Sequence, residues 1–453
     1  MRQVARRKLF CTFFGLLLFL LPELGSAGGY SLLEQSAKGV GVGFAGAAAG
    51  YGDGSEAFFN PAAMSNSEFD KTTISASAHL ISSSAQFSNQ GSSLSPALGG
   101  APLIGESGPD GGDASFIPNF YVVHPLDDTV ALGLGVNAPY GLATEYDRSW
   151  VGRYHAVDSE LMMININPAA SYKVTDNFSL GTALQVMYAD ATLSNMIDFG
   201  TIGVSTLGLP TASSLGLLPQ AADGFGEVTG DDWGVGYTLG ALYNYDNLGS
   251  RIGVAWHSKI DLTLTGDAYF EVPSSALPLT SLGAFTNTAA SASVSLPDSA
   301  VVSLIHRFSN DVALLAEAQW WHWSRFEELR IKYDTVQPDT VVNEGWDNTW
   351  RFSIGSIFSV AEHTTLSAGF TFDQEPISDK YHRTPRIPGD DRYWFSLGAS
   401  TAISETLTAD LSYAHLFVGD AKSEVTGSTG DVFKGEWDLS VDIVSVGFTY
   451  RYS

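Results

Sequence analysis

The amino-acid sequence predicts an all-β protein: a transmembrane antiparallel β-barrel of about 14 strands with an N-terminal plug inside its lumen. Three observations carry that prediction. The chain opens on an export signal. It contains no later apolar run long enough to cross a bilayer as a helix. It also alternates apolar with small or polar residues through most of its 453 positions.

Residues 1–27 read as a secretory signal peptide. Arg2, Arg6, Arg7 and Lys8 form a basic start, Leu9 to Leu21 an apolar stretch, and Gly25-Ser26-Ala27 a small-residue cleavage site. The apolar stretch falls short of the ~20 residues that a spanning helix needs. Cys11 lies within this segment and is the only cysteine, which rules out disulfides, thiolate metal sites and cysteine nucleophiles in the mature chain. Removing residues 1–27 leaves 19 basic and 48 acidic residues, a formal charge of −29. Nucleic acid is excluded as a partner, because binding it needs basic patches to neutralise phosphate. Charged residues are 16% of the chain, below the ~25% of soluble domains, which suits a sheet facing lipid.

The barrel is predicted over residues 69–453. Phe178, Leu180, Leu184, Val186 and Tyr188 share one face, opposite Ser179, Gly181, Ala183, Gln185 and Met187. Trp350, Phe352, Ile354, Phe358 and Val360 stand opposite Arg351, Ser353, Gly355 and Ser359, and the last strand places Val444, Val446, Phe448, Tyr450 and Tyr452 on one side. The first set suits lipid and the second a lumen. Short turns are expected at 127–128, 175–177, 246–249, 309–311, 361–363 and 404–406. Long loops are expected near 88–115, 195–230, 271–293, 334–347, 376–391 and 420–436. Short turns on one side and long loops on the other form the outer-membrane arrangement. A soluble all-β protein alternates too, but recurrence over the whole chain and clusters of Trp and Tyr near strand ends argue for interface girdles.

Residues 28–68 do not alternate. They are rich in glycine and alanine and contain Asn60-Pro61-Ala62, and a segment of this kind fits inside a wide barrel, closing it. Gly41-Val42-Gly43-Phe44-Ala45-Gly46 matches a dinucleotide fingerprint, but no βαβ unit surrounds it, so the match is compositional.

The segment Ser31-Leu32-Leu33-Glu34-Gln35-Ser36, the glycine run and Asn60-Pro61-Ala62 resemble the N-terminal hatch of the FadL/TodX family of outer-membrane long-chain fatty acid and hydrocarbon transporters. The resemblance continues through Pro139 to Tyr146, Trp150 to Tyr154, Ile164 to Ala169, Ser258 to Ile260 and Trp321 to Phe326. It then runs through Asp373 to Pro376, Arg383 to Pro388, Asp391 to Trp394 and Tyr413 to Phe417, and so covers essentially the whole mature chain. It implies a monomeric barrel of 14 strands in the Gram-negative outer membrane, a hatch formed by residues 28–68, and a kink in the third strand that opens a lateral gap. Ligand would be captured at the outer loops, pass to an inner site and leave sideways into the outer leaflet. The family usually ends on an aromatic residue, whereas here Tyr452 is followed by Ser453.

Several residues stand out as site candidates. Asn60, Pro61 and Ala62 set the hatch conformation, or form a plain turn. Asn137, Pro139 and Gly141 place the kink in strand 3, expected near Thr129 to Leu142, because proline cannot donate to a ladder and glycine marks bulges. The loop at 195–230 is apolar for an exposed loop, and Phe199, Leu209 and Leu217, with Phe285 opposite, are candidates to line a capture groove or to pack on one another. Arg153 and Lys259 are candidate partners for a ligand carboxylate, or pair with acidic neighbours. Trp321 and Trp323 share a face with Glu317 and Gln319 and line the ligand path, or belong to an interface belt. The expected partners are a hydrophobic small molecule, outer-membrane lipid and lipopolysaccharide, with no cofactor and no metal. The rival readings are a diffusion porin, which has no use for an apolar loop, and an outer-membrane hydrolase, for which no Gly-x-Ser-x-Gly motif is present.

Overall fold

A computed structural model describes residues 29–66, 69–281 and 283–452, so the predicted signal peptide, Leu282 and Ser453 lie outside the described residues. Fourteen staves, each antiparallel to the next, close into a barrel. Strand 1 is Thr72–Asn89 and strand 2 Ala114–Pro125, while strand 3 comes in two pieces, Val130–Asn137 and Gly141–Glu145. Strands 4, 5 and 6 are Asp158–Thr175, Phe178–Asp198 and Asp223–Asn244. Strand 7 (Arg251–His257, Ile260–Glu271) and strand 8 (Thr288–Leu296, Ser299–Arg307) are also broken. Strands 9 to 14 are Val312–Trp321, Thr349–Ala361, Thr364–Asp373, Arg392–Ala402, Leu407–Val418 and Val432–Tyr452. Closure is a continuous ladder from Thr72↔Tyr452 to Asn89↔Gly435.

The alternation explains the wall. Leu180, Leu184, Trp350, Phe352, Ile354 and Phe448 are exposed on the outer surface, while Arg351, Gln185, Ser353 and Thr449 are buried on the inner one. Strands 5 and 6 have 21 and 22 residues, about twice the ~10 that span a bilayer, so their outer halves rise beyond the membrane. The expected loop at 420–436 is corrected here: Ala421–Thr426 pairs with Val432–Trp437 and continues the hairpin, leaving only 427–431 as a tip. Long strands with one polar face keep pairing above the bilayer, which the loop estimate from composition missed.

The hatch fills the lumen with backbone. Its short elements are a helix at Ala37–Gly41, 3-10 turns at Ala47–Ala49 and Pro61–Ser65, and a helical turn at Glu56–Phe59. Inward-facing glycines receive it. A Cβ on Gly369 would collide with Val42, on Gly253 with the Ala48 carbonyl, on Gly240 with the Asn60 side chain and on Gly181 with Ala62. The small inner face is thus a seat for the hatch main chain. The hatch glycines answer in kind: a Cβ on Gly41 would stand 2.8 Å from Ser367 Oγ and Ser412 Oγ, and Gly43 and Gly46 have φ of +58° and +85°. That packing gives the Gly-x-Gly-x-x-Gly match its physical meaning.

Candidate functional site

The broken strand is where the wall changes character. In its first piece strand 3 buries the odd-numbered Ala131, Gly135 and Asn137, and in its second the even-numbered Leu142 and Thr144. The parity flips across Ala138-Pro139-Tyr140. Strand 2 pairs with strand 3 from Phe120↔Val136 to Pro125↔Ala131, whereas Gly141–Glu145 pairs with strand 4 alone. Residues 114–119 of strand 2 therefore have no ladder partner on that side. The hatch lies in this gap. Leu32 N donates to Pro139 O (2.9 Å), Gly141 N to Tyr30 O (2.9 Å) and Gln35 Nε2 to Ala138 O (2.8 Å). From the other side, Asn119 Nδ2 donates to Glu34 O (2.7 Å) and Tyr121 OH to Gln35 O (3.0 Å). The segment Tyr30–Gln35 spans the gap between the two strands. Burial pushes the Glu34 carboxyl up to about 7.

Next to this break lies a small lumen cavity of about 50 Å³. Leu32, Leu33, Phe58 and Phe59 of the hatch border it, with Pro139 and Tyr140 of the break, Met187, Ile260 and Trp321 of the wall, and the polar Gln185, His257, Glu317, Gln319 and Arg351. Trp321 sits at the end of strand 9, where the inward parity that Glu317 and Gln319 begin brings it to the lumen. Trp323 is buried beside it, 5.9 Å between ring centroids, in an aromatic cluster with Tyr30, Phe326 and Trp346. Tyr30 thereby joins the hatch to that cluster and, at 6.0 Å, to Tyr140.

Asn60 is fully buried and holds three hatch or wall groups. Its Nδ2 donates to Ala48 O (2.6 Å) and Ala241 O (3.1 Å), and its Oδ1 accepts from Ala62 N (3.1 Å), capping the turn that Pro61 starts. It thus ties two hatch turns to strand 6.

The outer loops are arranged differently. Phe199 begins a helix at Phe199–Leu207, and a second helix, Leu209–Ser214, comes after it. Phe199 and Leu217 are fully buried together with Ala212, Ala222 and Ala276, and Phe199 meets Phe285 at 4.9 Å. Phe199 and Leu217 fill a core with the loop at 271–293, while Leu209, Leu215 and Leu218 stay exposed at its edge. Arg153 is buried and committed: its Nε donates to Asp223 Oδ2 (2.9 Å) and its guanidinium to the carbonyls of Ile104 and Trp150. Lys259 lies at the break in strand 7 on the outer surface, pairing with Asp261 at 2.6 Å. Both cations are paired with acids in this arrangement, and neither borders the lumen cavity.

The cation that does border it is Arg351, which sequence reasoning placed on the lumen face without singling it out. Its Nη2 donates to Glu317 Oε1 (2.6 Å) and Gln319 Oε1 (2.5 Å). Glu317 in turn accepts from Ala47 N of the hatch (2.7 Å) and Ser303 Oγ (2.6 Å). The signal was available: an arginine on the small, polar side of an alternating strand.

The profile of the family described as outer membrane protein transport protein (OMPP1/FadL/TodX) matches residues 19–452. The long-chain fatty acid transport protein of Escherichia coli O6:H1 is 26% identical over 450 residues, 96% of each chain. The crystal structure of a Pseudomonas aeruginosa FadL homologue superposes with a TM-score of 0.85 at 24% identity, covering 94% of this chain and 100% of that one. That of the P. putida toluene transporter TodX superposes with a TM-score of 0.68 at 15% identity, covering 94% and 99%.

Proposed function

This chain belongs to the OMPP1/FadL/TodX family of Gram-negative outer-membrane transport proteins, and from that premise we propose that it carries long-chain fatty acids or similarly apolar compounds through the wall of its barrel. It is a transporter and not an enzyme. An apolar solute is slowed by the polysaccharide leaflet and gains roughly 25 cal/mol for each Å² of apolar surface it buries in the protein. The outer loops pass such a solute to the lumen cavity, and it leaves between strands 2 and 3 into the outer leaflet.

One observation carries this reading: the wall lacks a ladder between residues 114–119 and 141–145, and Tyr30–Gln35 of the hatch covers the breach. A plug made of a few hydrogen bonds and side chains moves more readily than a strand. The cavity of about 50 Å³ is small beside the ~300–1,000 Å³ of ligand pockets, so the arrangement is the closed one and occupancy requires the hatch segment to shift.

The test is uptake of radiolabelled oleate and toluene by a fatty-acid-transport-deficient host expressing the protein. Saturable oleate uptake supports the reading, and toluene uptake alone narrows it to hydrocarbons. Failure of both, with open ion conductance in planar bilayers, overturns it in favour of a porin.

A further inference from the structure

We propose that the outer rim of strands 8 and 9 holds a phosphorylated glycolipid of the outer leaflet. Arg325 and His322, fixed side by side by the buried Asp298, bind a phosphate of a lipid A head group, and the tryptophans below them pack on its acyl chains. The proposal concerns the lipid-facing wall and stands apart from the transport reading.

Depth comes first. Strand 9 rises from the short turn at 309–311, and Trp320 is the ninth residue of Val312–Trp321. A strand crosses a bilayer in ~9–11 residues, so Trp320 stands at the outer interface. It faces Trp350 of strand 10 on one side and Ala300 of strand 8 on the other, and Ala300 faces Trp256 of strand 7. Trp256 and Trp350 are exposed on the outer surface. This row is an aromatic girdle, and girdles of this kind sit at the level of the lipid head groups.

The next step up carries charge. The break in strand 8 holds Asp298, two residues before Ala300, and His322 stands two residues after Trp320. His322 N donates to Asp298 O (3.0 Å), and its Nδ1 lies 3.1 Å from Asp298 Oδ1. Arg325, at the end of the 3-10 turn Trp323–Arg325, donates through Nε to the same oxygen. The imidazole meets Trp320 at 5.1 Å between ring centroids. The side chain of Asp298 is only 6% exposed, whereas those of Arg325 and His322 are 33% and 31% exposed. The acid is hidden behind the two bases. Both Nη groups of Arg325 and the second ring nitrogen of His322 are left to bind a partner. The forked donors of a guanidinium match a phosphate, and an anion beside the imidazole favours its protonated form. Basic groups at head-group depth recognise lipid phosphates in this way. The exposed carboxylate nearby, Asp261, is engaged by Lys259 (2.6 Å) and Ser295 Oγ (2.8 Å).

The experiment measures lipid binding to the full-length barrel by native mass spectrometry in a non-ionic detergent, with heat-modifiable migration on gels confirming the fold. The probes are purified lipid A, the same lipid A stripped of its phosphates, and phosphatidylglycerol. The wild-type protein is expected to hold lipid A at least ~10-fold more tightly than the stripped form, which has lost its charge-assisted bonds. Arg325→Gln is expected to bring lipid A down to the level of the stripped form. Because Arg325→Gln leaves Asp298 with His322 alone, which works against assembly, His322→Gln is measured as well. It keeps the pair of Asp298 with Arg325 and is expected to weaken lipid A several-fold. Arg330→Gln removes an exposed arginine paired with Glu328 and Asp339, and should bind lipid A as the wild type does. Equal wild-type affinity for the two forms of lipid A overturns the assignment. So does wild-type lipid A affinity in a folded Arg325→Gln or His322→Gln barrel, or an equal loss in Arg330→Gln. Phosphatidylglycerol bound as tightly as lipid A overturns the glycolipid as the occupant.

Discussion

Strand 3 and strand 7 are both interrupted, and the two gaps are covered by different parts of the molecule. At strand 7 the break at Ser258-Lys259 faces an equal break in strand 8. From His257↔Ser299 to Ile260↔Leu296 both strands advance three residues, so the pairing resumes in step. Strand 3 advances four residues, from Asn137 to Gly141, while strand 4 advances three, from Asn165 to Met162. On its other side strand 2 has no matching kink and simply loses its partner after Val136. Toward strand 6 the ladder lapses between Thr238↔His257 and Asp231↔Thr265, and the two strands bridge that lapse themselves, Ser258 N donating to Tyr237 O and Thr263 N to Asp232 Oδ2, whereas at strand 3 the hatch stands in the gap. Buried backbone groups are costly to leave unpaired, and here the hatch pairs those of Pro139 and Gly141.

The largest effect should come from removing the asymmetry. Deleting Ala138 equalises the count against strand 4 and lets strand 3 pair with residues 114–119 of strand 2. The expected result is a barrel that unfolds at a higher temperature and takes up fatty acid at the background rate. Wild-type uptake by that variant would show that the kink is not the exit.

Unseating the hatch is the next test. A Cβ at Gly253 would stand 1.9 Å from the Ala48 carbonyl oxygen, while β-branched residues are themselves favoured in strands. Gly253→Val should assemble as a barrel and conduct ions several-fold more than wild type in planar bilayers. A tight, non-conducting Gly253→Val barrel would mean that the hatch seals without that contact.

Titration separates the two regions more gently. Glu344 lies in the loop whose Trp346 packs on Tyr30 of the hatch. Burial pushes its carboxyl up to about 7. A folded-state pKa above the unfolded value of ~4.3 means that the protonated form favours folding. That contribution is full below pH ~4.3 and is lost as pH rises through about 7. The thermal midpoint should fall between pH 5 and pH 8, and Glu344→Gln should flatten this slope. An equal slope in the variant would place the titration elsewhere.

The smallest effect is expected at the strand 7 break. Lys259 and Asp261 form an exposed pair, so Lys259→Ala should change stability by less than ~0.5 kcal/mol and leave uptake unchanged.

Much of the wall was legible because a lipid-facing surface and a plugged lumen impose opposite chemistry on alternate residues. Trp350 and Arg351 are neighbours with opposite fates for that reason alone. Five of the six short turns contain Asp, Asn, Gly or Ser, as at Thr175-Asp176-Asn177 between strands 4 and 5, and the sixth is Ala361-Glu362-His363. Pro139 marked the break in strand 3 because a proline has no donor for the ladder. The break in strand 7 was harder to see, since Ser258-Lys259 carries no comparable signal, although Pro297 stands in the strand 8 break that faces it. The outer loops were open to two readings for a physical reason: an apolar loop fits a groove or a private core equally well until its neighbours are known. Phe199 and Leu217 turned out to be core. Arg351 was visible on the lumen face, but its partners depend on where Glu317 and Gln319 of strand 9 stand, which one strand's pattern does not contain.

The most direct test joins the hatch to the break. Ser31 and Tyr140 face each other in an antiparallel bridge, a spacing suited to a disulfide, and the predicted mature chain has no cysteine to interfere. In the Ser31→Cys, Tyr140→Cys protein, oxidation should stop fatty acid uptake and reduction should restore it. Full uptake by the oxidised, cross-linked protein would contradict exit through the strand 3 gap.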